Sequence, residues 1–313
     1  MAQGLGLSVF EREVREVSAM FDYAEAFSRN LGWTTEQEQS DLRGKRVAIA
    51  GLGGVGGSHL LALTRLGIGE FAIADFDTFD LVNFNRQAGA SLSTVGQPKV
   101  AVLQAMARDI NPELVTRCFE EGVSQANLDD FLTGVDLYVD GLDFFAFEAR
   151  RATFAACQRL RIPALTAAPL GLGVAMLAFL PGGMSFEEYF CLEGCDEEEM
   201  ALRFMMGLAP AMLQMGYLVD RSRVDLANQR GPSNIAACQL CTGAMVTDAL
   251  KILLGRGKVA AAPHGYQFDA YRNRFRRTWR PGGNRHPLQR LGLWIARRQL
   301  RRLKDLGDPH ARS

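Results

Sequence analysis

The 313-residue chain has no excess of either charge: 35 Lys and Arg stand against 35 Asp and Glu. Bulk attraction of the whole molecule to nucleic acid or to an acidic membrane is therefore not expected. No uninterrupted apolar run approaches the roughly 18 residues of a membrane span. The opening residues, MAQGLGLSVFEREVREV, lack a basic stretch followed by an apolar one, so a secretory leader is not expected. Six cysteines in so long a chain make no disulfide framework. Reduced thiols in a cytoplasmic protein are the expectation. No internal repeat or low-complexity segment is evident. What is present, 48 % apolar residues, suits an ordinary globule with a sizeable core, as one large domain or two small ones.

The chain is organised around Arg46 to Lys99. An apolar strand, Val47 to Ala50, runs into Gly51-Leu-Gly53-Gly54-Val-Gly56-Gly57. A helix pattern follows, with Leu60, Leu61, Leu63 and Leu66 on its apolar face, and Gly67 and Gly69 end it. A second strand, Phe71 to Ala74, closes on Asp75. This is a β-α-β unit with a phosphate-binding turn. Gly51 permits the tight turn, Gly53 lets a nucleotide approach the backbone, and Gly56 lets the helix pack against the strand. The helix N-terminus offers free N–H groups to phosphate, and a carboxylate at Asp75 can accept hydrogen bonds from a ribose. These features alone do not separate a dinucleotide from ATP.

The next segments do separate them. Asn83-Phe84-Asn85-Arg86-Gln87 and Gly96-Gln97-Pro98-Lys99 have no role in a dehydrogenase fingerprint. With the glycine turn and Asp75-Phe-Asp77, they resemble the ubiquitin-activating-enzyme-like adenylyltransferases (the ThiF/MoeB/HesA family), which carry GxGGxG, DxD, NxxRQ and GxxK in this order. The resemblance covers residues 28 to 181, with a weaker echo at 238 to 256.

The remaining chain alternates strand and helix. Helix patterns at 98–110, 128–132 and 147–161 interleave with strands at 114–119, 135–139 and 163–166, the second ending on Asp140. The fold class expected is α/β, a Rossmann-like doubly wound, mostly parallel sheet with helices on both faces. An antiparallel strand at 173–180, a helix at 233–254 and a strand at 266–270 complete it. Three regions are expected: an N-terminal helical segment (1–45, with a helix over 8–30), an ATP-binding domain (46–270, with an irregular insert at about 184–235) and a basic C-terminal tail (271–313). The insert contains a methionine-rich helix, 200–215, read as core filling. The tail holds twelve Arg and one Lys against two Asp. Its stripe of Leu288, Leu291, Trp294, Ile295, Leu300 and Leu303 suggests a basic helix. Such a helix docks on the acidic remainder of the chain, on an acidic partner or on a membrane surface.

The resemblance implies an ATP- and Mg2+-dependent enzyme that adenylates a carboxylate. Arg86 and Lys99 would neutralise phosphate charge. Asp140 would hold the magnesium. Asn83 and Gln87 would orient the phosphates or the incoming carboxylate. Gly51, Gly53, Gly54, Gly56, Asp75 and Asp77 would complete the nucleotide site. Arg29 would reach the phosphates of a partner subunit in a homodimer. The substrate implied is the C-terminus of a ubiquitin-like or sulfur-carrier protein. The alternatives are a modified tRNA or peptide carboxylate, as in a threonylcarbamoyladenosine dehydratase, with tRNA the less favoured partner, or an NAD-dependent oxidoreductase. Two departures stand out. The family's DxxDN is here Asp140-Gly-Leu-Asp143-Phe144, without the asparagine. The paired cysteines that bind zinc in many relatives have only Cys191, Cys195, Cys238 and Cys241 as counterparts, and the same four are the candidates for a transfer thiol.

Overall fold

The computed structural model describes residues 21–224 and 231–307. One eight-stranded sheet organises them, in the order β3-β2-β1-β4-β5-β6-β7-β8. The strands are β1 (Arg46–Ala50), β2 (Glu70–Ala74), β3 (Val115–Phe119), β4 (Leu137–Asp140), β5 (Ala164–Leu170), β6 (Gly173–Phe179), β7 (His264–Asp269) and β8 (Arg274–Trp279). The first five pair in parallel, and β5 to β8 pair antiparallel. The fold class is that expected, a mostly parallel sheet with antiparallel C-terminal strands.

Alternation along the strands sorts the two cores. Val47, Ile49, Ile73, Leu137 and Val139 face one side. They pack with α2 (Gly56–Arg65), α3 (Lys99–Ile110) and α7 (Ile235–Leu253). Ala48, Ala50, Ala72 and Ala74 face the other side, where their small size leaves room for rings. There α4 (Phe147–Leu160), α5 (Phe186–Phe190) and α6 (Glu197–Leu208) bring Phe147, Phe154, Phe186, Phe190 and Phe204 together. The helix starts are chemically marked: Thr35 forms a capping box with Glu38 at α1 (Glu36–Arg43), Asp196 caps α6, and Asn234 caps α7.

Several local readings change. Residues 8–20 of the expected N-terminal helix lie outside the described residues. Its remainder is not continuous: an α-turn spans Tyr23–Ala26 and a 3-10 turn Ser28–Asn30. The methionine-rich helix begins at Glu197, set by the Asp196 cap, and stops at Leu208 ahead of Pro210. The insert also holds α5. The tail is not separate from the sheet, because β8 hairpins onto β7. Beyond it, α8 (Pro287–Gly307) docks on α6: Gln289 Nε2 donates to Met206 O at 2.8 Å, and Arg297 Nε donates to Glu199 Oε2 at 2.9 Å. Docking on the acidic part of the same chain is therefore the arrangement found. Among the described residues one helix, α7, is long and apolar enough to cross a membrane by length and composition. Its Ala237, Cys238, Cys241, Met245 and Ala249 are instead buried inside the protein.

The first core contains one conspicuous polar group. His59 is fully buried, and neither ring nitrogen has a hydrogen-bond partner. Burial lowers its pKa from 6.5 to about 3, so the folded chain holds the neutral ring. The unfolded chain binds the proton first. Stability is thus complete above pH 6.5 and falls as the pH drops towards 3, by up to about 1.4 kcal/mol per pH unit. Urea unfolding at neutral pH and near pH 5 should show the parent losing about 2 kcal/mol more than His59→Leu.

Candidate active site

β1, β2 and β4 end side by side, and the glycine turn lies across their carboxyl ends. Gly51 has φ +83°, and a Cβ there would lie 2.3 Å from Gly141 O. A Cβ on Gly56 would lie 1.8 Å from Gly51 O, so only glycine lets α2 start so close to the strand. Leu52 N donates to Asp75 Oδ2 at 2.6 Å, and Asp77 N donates to Asp75 Oδ1 at 2.8 Å. Asp75 therefore ties the turn to the end of β2 through Oδ2, while Oδ1 closes a local turn with Asp77. The N-terminus of α2 has no side-chain cap, so its first N–H groups point out of the turn. At Gly53 and Gly54 the surroundings are side chains: a Cβ on Gly53 would be 3.7 Å from Gln87 Nε2, and one on Gly54 would be 3.6 Å from Arg86 Nε.

The NxxRQ segment is thus folded onto the turn. Asn83 Oδ1 accepts from Asp80 N at 2.9 Å, which closes the 3-10 turn Leu81–Asn83 and sets the direction in which the chain leaves towards Arg86. Arg86 Nη1 donates to Val82 O at 3.0 Å and to Asn85 Oδ1 at 2.9 Å; among the described residues it has no ion pair. Gln87 is buried, and its Oε1 has no partner. Lys99 opens α3 with an almost wholly buried side chain, its Nζ 2.9 Å from Asp77 Oδ2. Asp77 is half-exposed and serves as the counter-ion of Lys99.

Asp140 ends β4, but it does not offer a free carboxylate. It is buried: Oδ2 accepts from Arg150 Nε at 2.8 Å and from Thr166 Oγ1 at 2.9 Å, and Oδ1 accepts from Leu142 N at 3.2 Å. The other Arg150 nitrogens donate to Leu142 O, Asp143 O and Phe144 O, and the guanidinium stacks over Phe204 at 4.7 Å. The Asp140–Arg150 pair pins the loop after β4 against the glycine turn. The expected magnesium role of Asp140 does not fit this donor set. Asp143, three residues on, is exposed and uses only Oδ1 internally, accepting from Phe145 N at 3.0 Å. A single carboxylate beside phosphate oxygens suits magnesium, so Asp143 fits where Asp140 does not.

Two expectations fall away from this site within one chain. Arg29 lies beside the far end of α2, where Tyr23 OH donates to Gly67 O at 2.6 Å and Asn30 Nδ2 to Arg65 O at 3.3 Å. Ten helical residues, about 15 Å, separate it from the phosphate end. The cysteine pairs belong to different faces of the sheet. Cys238 and Cys241 are buried in the first core, while Cys191 and Cys195 flank Leu192 of the second. They cannot converge on one zinc ion, and no group of three or more His, Cys, Asp or Glu able to hold a metal occurs among the described residues. Burial pushes the Cys238, Cys241 and Cys195 thiols up, away from the thiolate form.

Four further residues shape the site in ways the sequence does not signal. Arg150 reads as an ordinary helix arginine. Cys238 lies 3.5 Å from the Cβ position of Gly54. Asn85 Nδ2 donates to Ser233 O at 2.9 Å, and Asn234 Nδ2 to Gly171 O at 2.6 Å, which joins the NxxRQ segment to the start of α7 and the β5–β6 turn.

A family model described as ThiF family matches residues 27–290. The tRNA threonylcarbamoyladenosine dehydratase of Bacillus subtilis is 37 % identical over 123 residues, 39 % of this chain and 48 % of that protein. The sulfur carrier protein ThiS adenylyltransferase of Escherichia coli is 30 % identical over 143 residues, 46 % of this chain and 56 % of that protein. The chain thus spans about half the length of these curated relatives. The E. coli MccB structure with ATP superposes with a TM-score of 0.60 at 18 % identity, over 81 % of this chain and 70 % of that one, a likeness of fold.

Proposed function

Because the chain belongs to the ThiF family of adenylating enzymes, we propose that it joins a carboxylate to the α-phosphate of ATP and releases pyrophosphate. The carboxylate proposed is the C-terminus of a small ubiquitin-like or sulfur-carrier protein. The observation that carries this reading is the unpaired guanidinium of Arg86, held beside Gly54 next to an uncapped helix N-terminus. A buried dipole end and a free cation at one point favour a polyphosphate.

The residues divide the work. The N–H groups of α2 and Arg86 stabilise the charge that grows as the carboxylate oxygen attacks phosphorus and the bond to the β-phosphate breaks. Lys99 is held in place by Asp77, and phosphate oxygens would replace that carboxylate when ATP binds. Gln87 and Asn83 orient the reacting groups. Asp143 would hold magnesium, which supplies further neutralisation of phosphate charge. A modified tRNA carboxylate is the second reading, favoured by the 37 % identity to a tRNA threonylcarbamoyladenosine dehydratase. The test is incubation with ATP, magnesium and, in parallel, the small-protein fraction and the tRNA of the native cell, followed by mass spectrometry. A small protein heavier by one AMP supports the first reading; adenylated tRNA alone sinks it.

Arg29 acts from the partner subunit in this scheme, since its own site is a helix length away. Arg29→Ala and Lys99→Ala should each abolish pyrophosphate exchange. Mixed and re-equilibrated one to one, half the dimers pair the two variants, and one site in each such dimer is intact. Exchange should return to about a quarter of the parent level. No recovery would mean that Arg29 does not act across a dimer.

A further inference from the structure

Among the described residues β8 has a neighbour on one side only, β7, and Arg274, Phe275, Arg276, Arg277 and Trp279 along it are all exposed. From Ala270 to Lys304 the sequence contains no Asp or Glu, against eleven Arg and one Lys. The side chains of Arg274, Arg276, Arg277 and Arg290 make no ion pair or hydrogen bond among the described residues. Alternation places Phe275, Arg277 and Trp279 on the face that carries His264 and Tyr266 of β7. Phe275 leans on Tyr266 with ring centroids 5.5 Å apart, and Trp279 stacks on His264 at 6.3 Å. Both outer rings remain more than half exposed, at 51 % and 58 %. The sheet edge therefore presents two supported aromatic faces with the Arg277 guanidinium, unpaired among the described residues, between them.

We propose that this β7–β8 face binds single-stranded RNA, with bases stacked on Phe275 and Trp279 and phosphate paired with Arg277 between them. Stacking uses the exposed π-faces without regard to sequence, and unpaired arginines match a phosphate chain. A second copy of the chain fits poorly, because two β8 edges paired about a two-fold axis would set arginine against arginine. A lipid surface would engage the aliphatic stripe instead. Leu288, Leu291, Trp294 and Ile295 are exposed on α8, a different element. β8 is five strand spacings from β1, about 24 Å. RNA binding here does not depend on adenylation, and either can fail alone.

Fluorescence anisotropy of the full chain with a short fluorescein-labelled single-stranded RNA, without ATP, tests this. Binding should weaken with salt, each phosphate paired contributing about −0.7 to the log–log slope. The double variant Phe275→Ala/Trp279→Ala should bind at least tenfold more weakly. Arg277→Gln should flatten the slope by about 0.7. Leu288→Ser/Leu291→Ser should bind RNA as the parent does, and all three variants should keep the parent's pyrophosphate exchange. The proposal is overturned by absence of binding at about 100 mM salt, by ring variants that bind RNA undiminished, or by tighter binding of same-sequence DNA. It is also overturned if the ring variants lose phosphatidylserine vesicles while keeping RNA.

Discussion

Arg86→Gln should lower pyrophosphate exchange by about a thousandfold, with no loss of folding stability. The guanidinium stands beside the Gly54 Cα without a carboxylate partner, and its internal hydrogen bonds go to Val82 O and Asn85 Oδ1. Removing it leaves nothing buried and unpaired, so the fold has little to lose. The reaction loses a positioned cation where phosphate charge develops. Lys99→Gln should differ in kind. That ammonium is nearly buried against Asp77, so its removal should cost both exchange and a measurable part of stability. Exchange assays with the native small-protein fraction as acceptor, run beside urea unfolding, separate the two signatures. Arg86→Gln with near-parent exchange would remove the residue from the reaction.

The two aspartates after β4 should separate just as sharply. Asp140→Asn leaves the Arg150 guanidinium buried without its counter-charge, and breaking one side of such a pair costs about 3–5 kcal/mol. Asp140 and Arg150 are 3 % and 2 % exposed, so solvent screens little of that loss. The variant should unfold at clearly lower urea, and exchange should fall because the Leu142–Phe144 loop is no longer pinned. Asp143→Asn should leave the urea midpoint unchanged and lower exchange by about a hundredfold or more. Raising magnesium should partly restore Asp143→Asn, since the ion then binds through phosphate oxygens and the remaining ligands. If Asp140→Asn is as stable as the parent and responds to magnesium instead, the assignments are reversed.

That pair also marks where sequence reading stops. The glycine turn, the strand on each side of it and the ordered Asn83–Lys99 segment are legible because each rests on local chemistry: positive φ, close approach, period-two alternation. Asp140 and Asp143 look equivalent in sequence, both acidic and both at a strand end. Only the return of Arg150 from α4 decides which one is buried, and that contact depends on how a helix docks. β8 is unreadable for a related reason. Tyr-Arg-Asn-Arg-Phe-Arg-Arg has no apolar alternation, since an exposed edge strand needs none, and the pairing that makes it a strand comes from β7. Residues Asp22 to Asn30 read as part of a helix by spacing, yet Asp22 caps a four-residue turn and the chain leaves the helix after Ala26. The docking of α8 is legible as chemistry, a basic helix beside acidic residues, but not as the particular Arg297–Glu199 contact.

The most direct measurement is a crystal structure of the protein with magnesium and a non-hydrolysable ATP analogue. Expected is a triphosphate lying across Gly53 and Gly54 at the start of α2, with Arg86 on its oxygens, Lys99 moved from Asp77 to phosphate, and the metal on Asp143 while Asp140 stays with Arg150. A nucleotide whose phosphates point away from Arg86 and Lys99, or density for nucleotide anywhere but this turn, would contradict adenylation at this site.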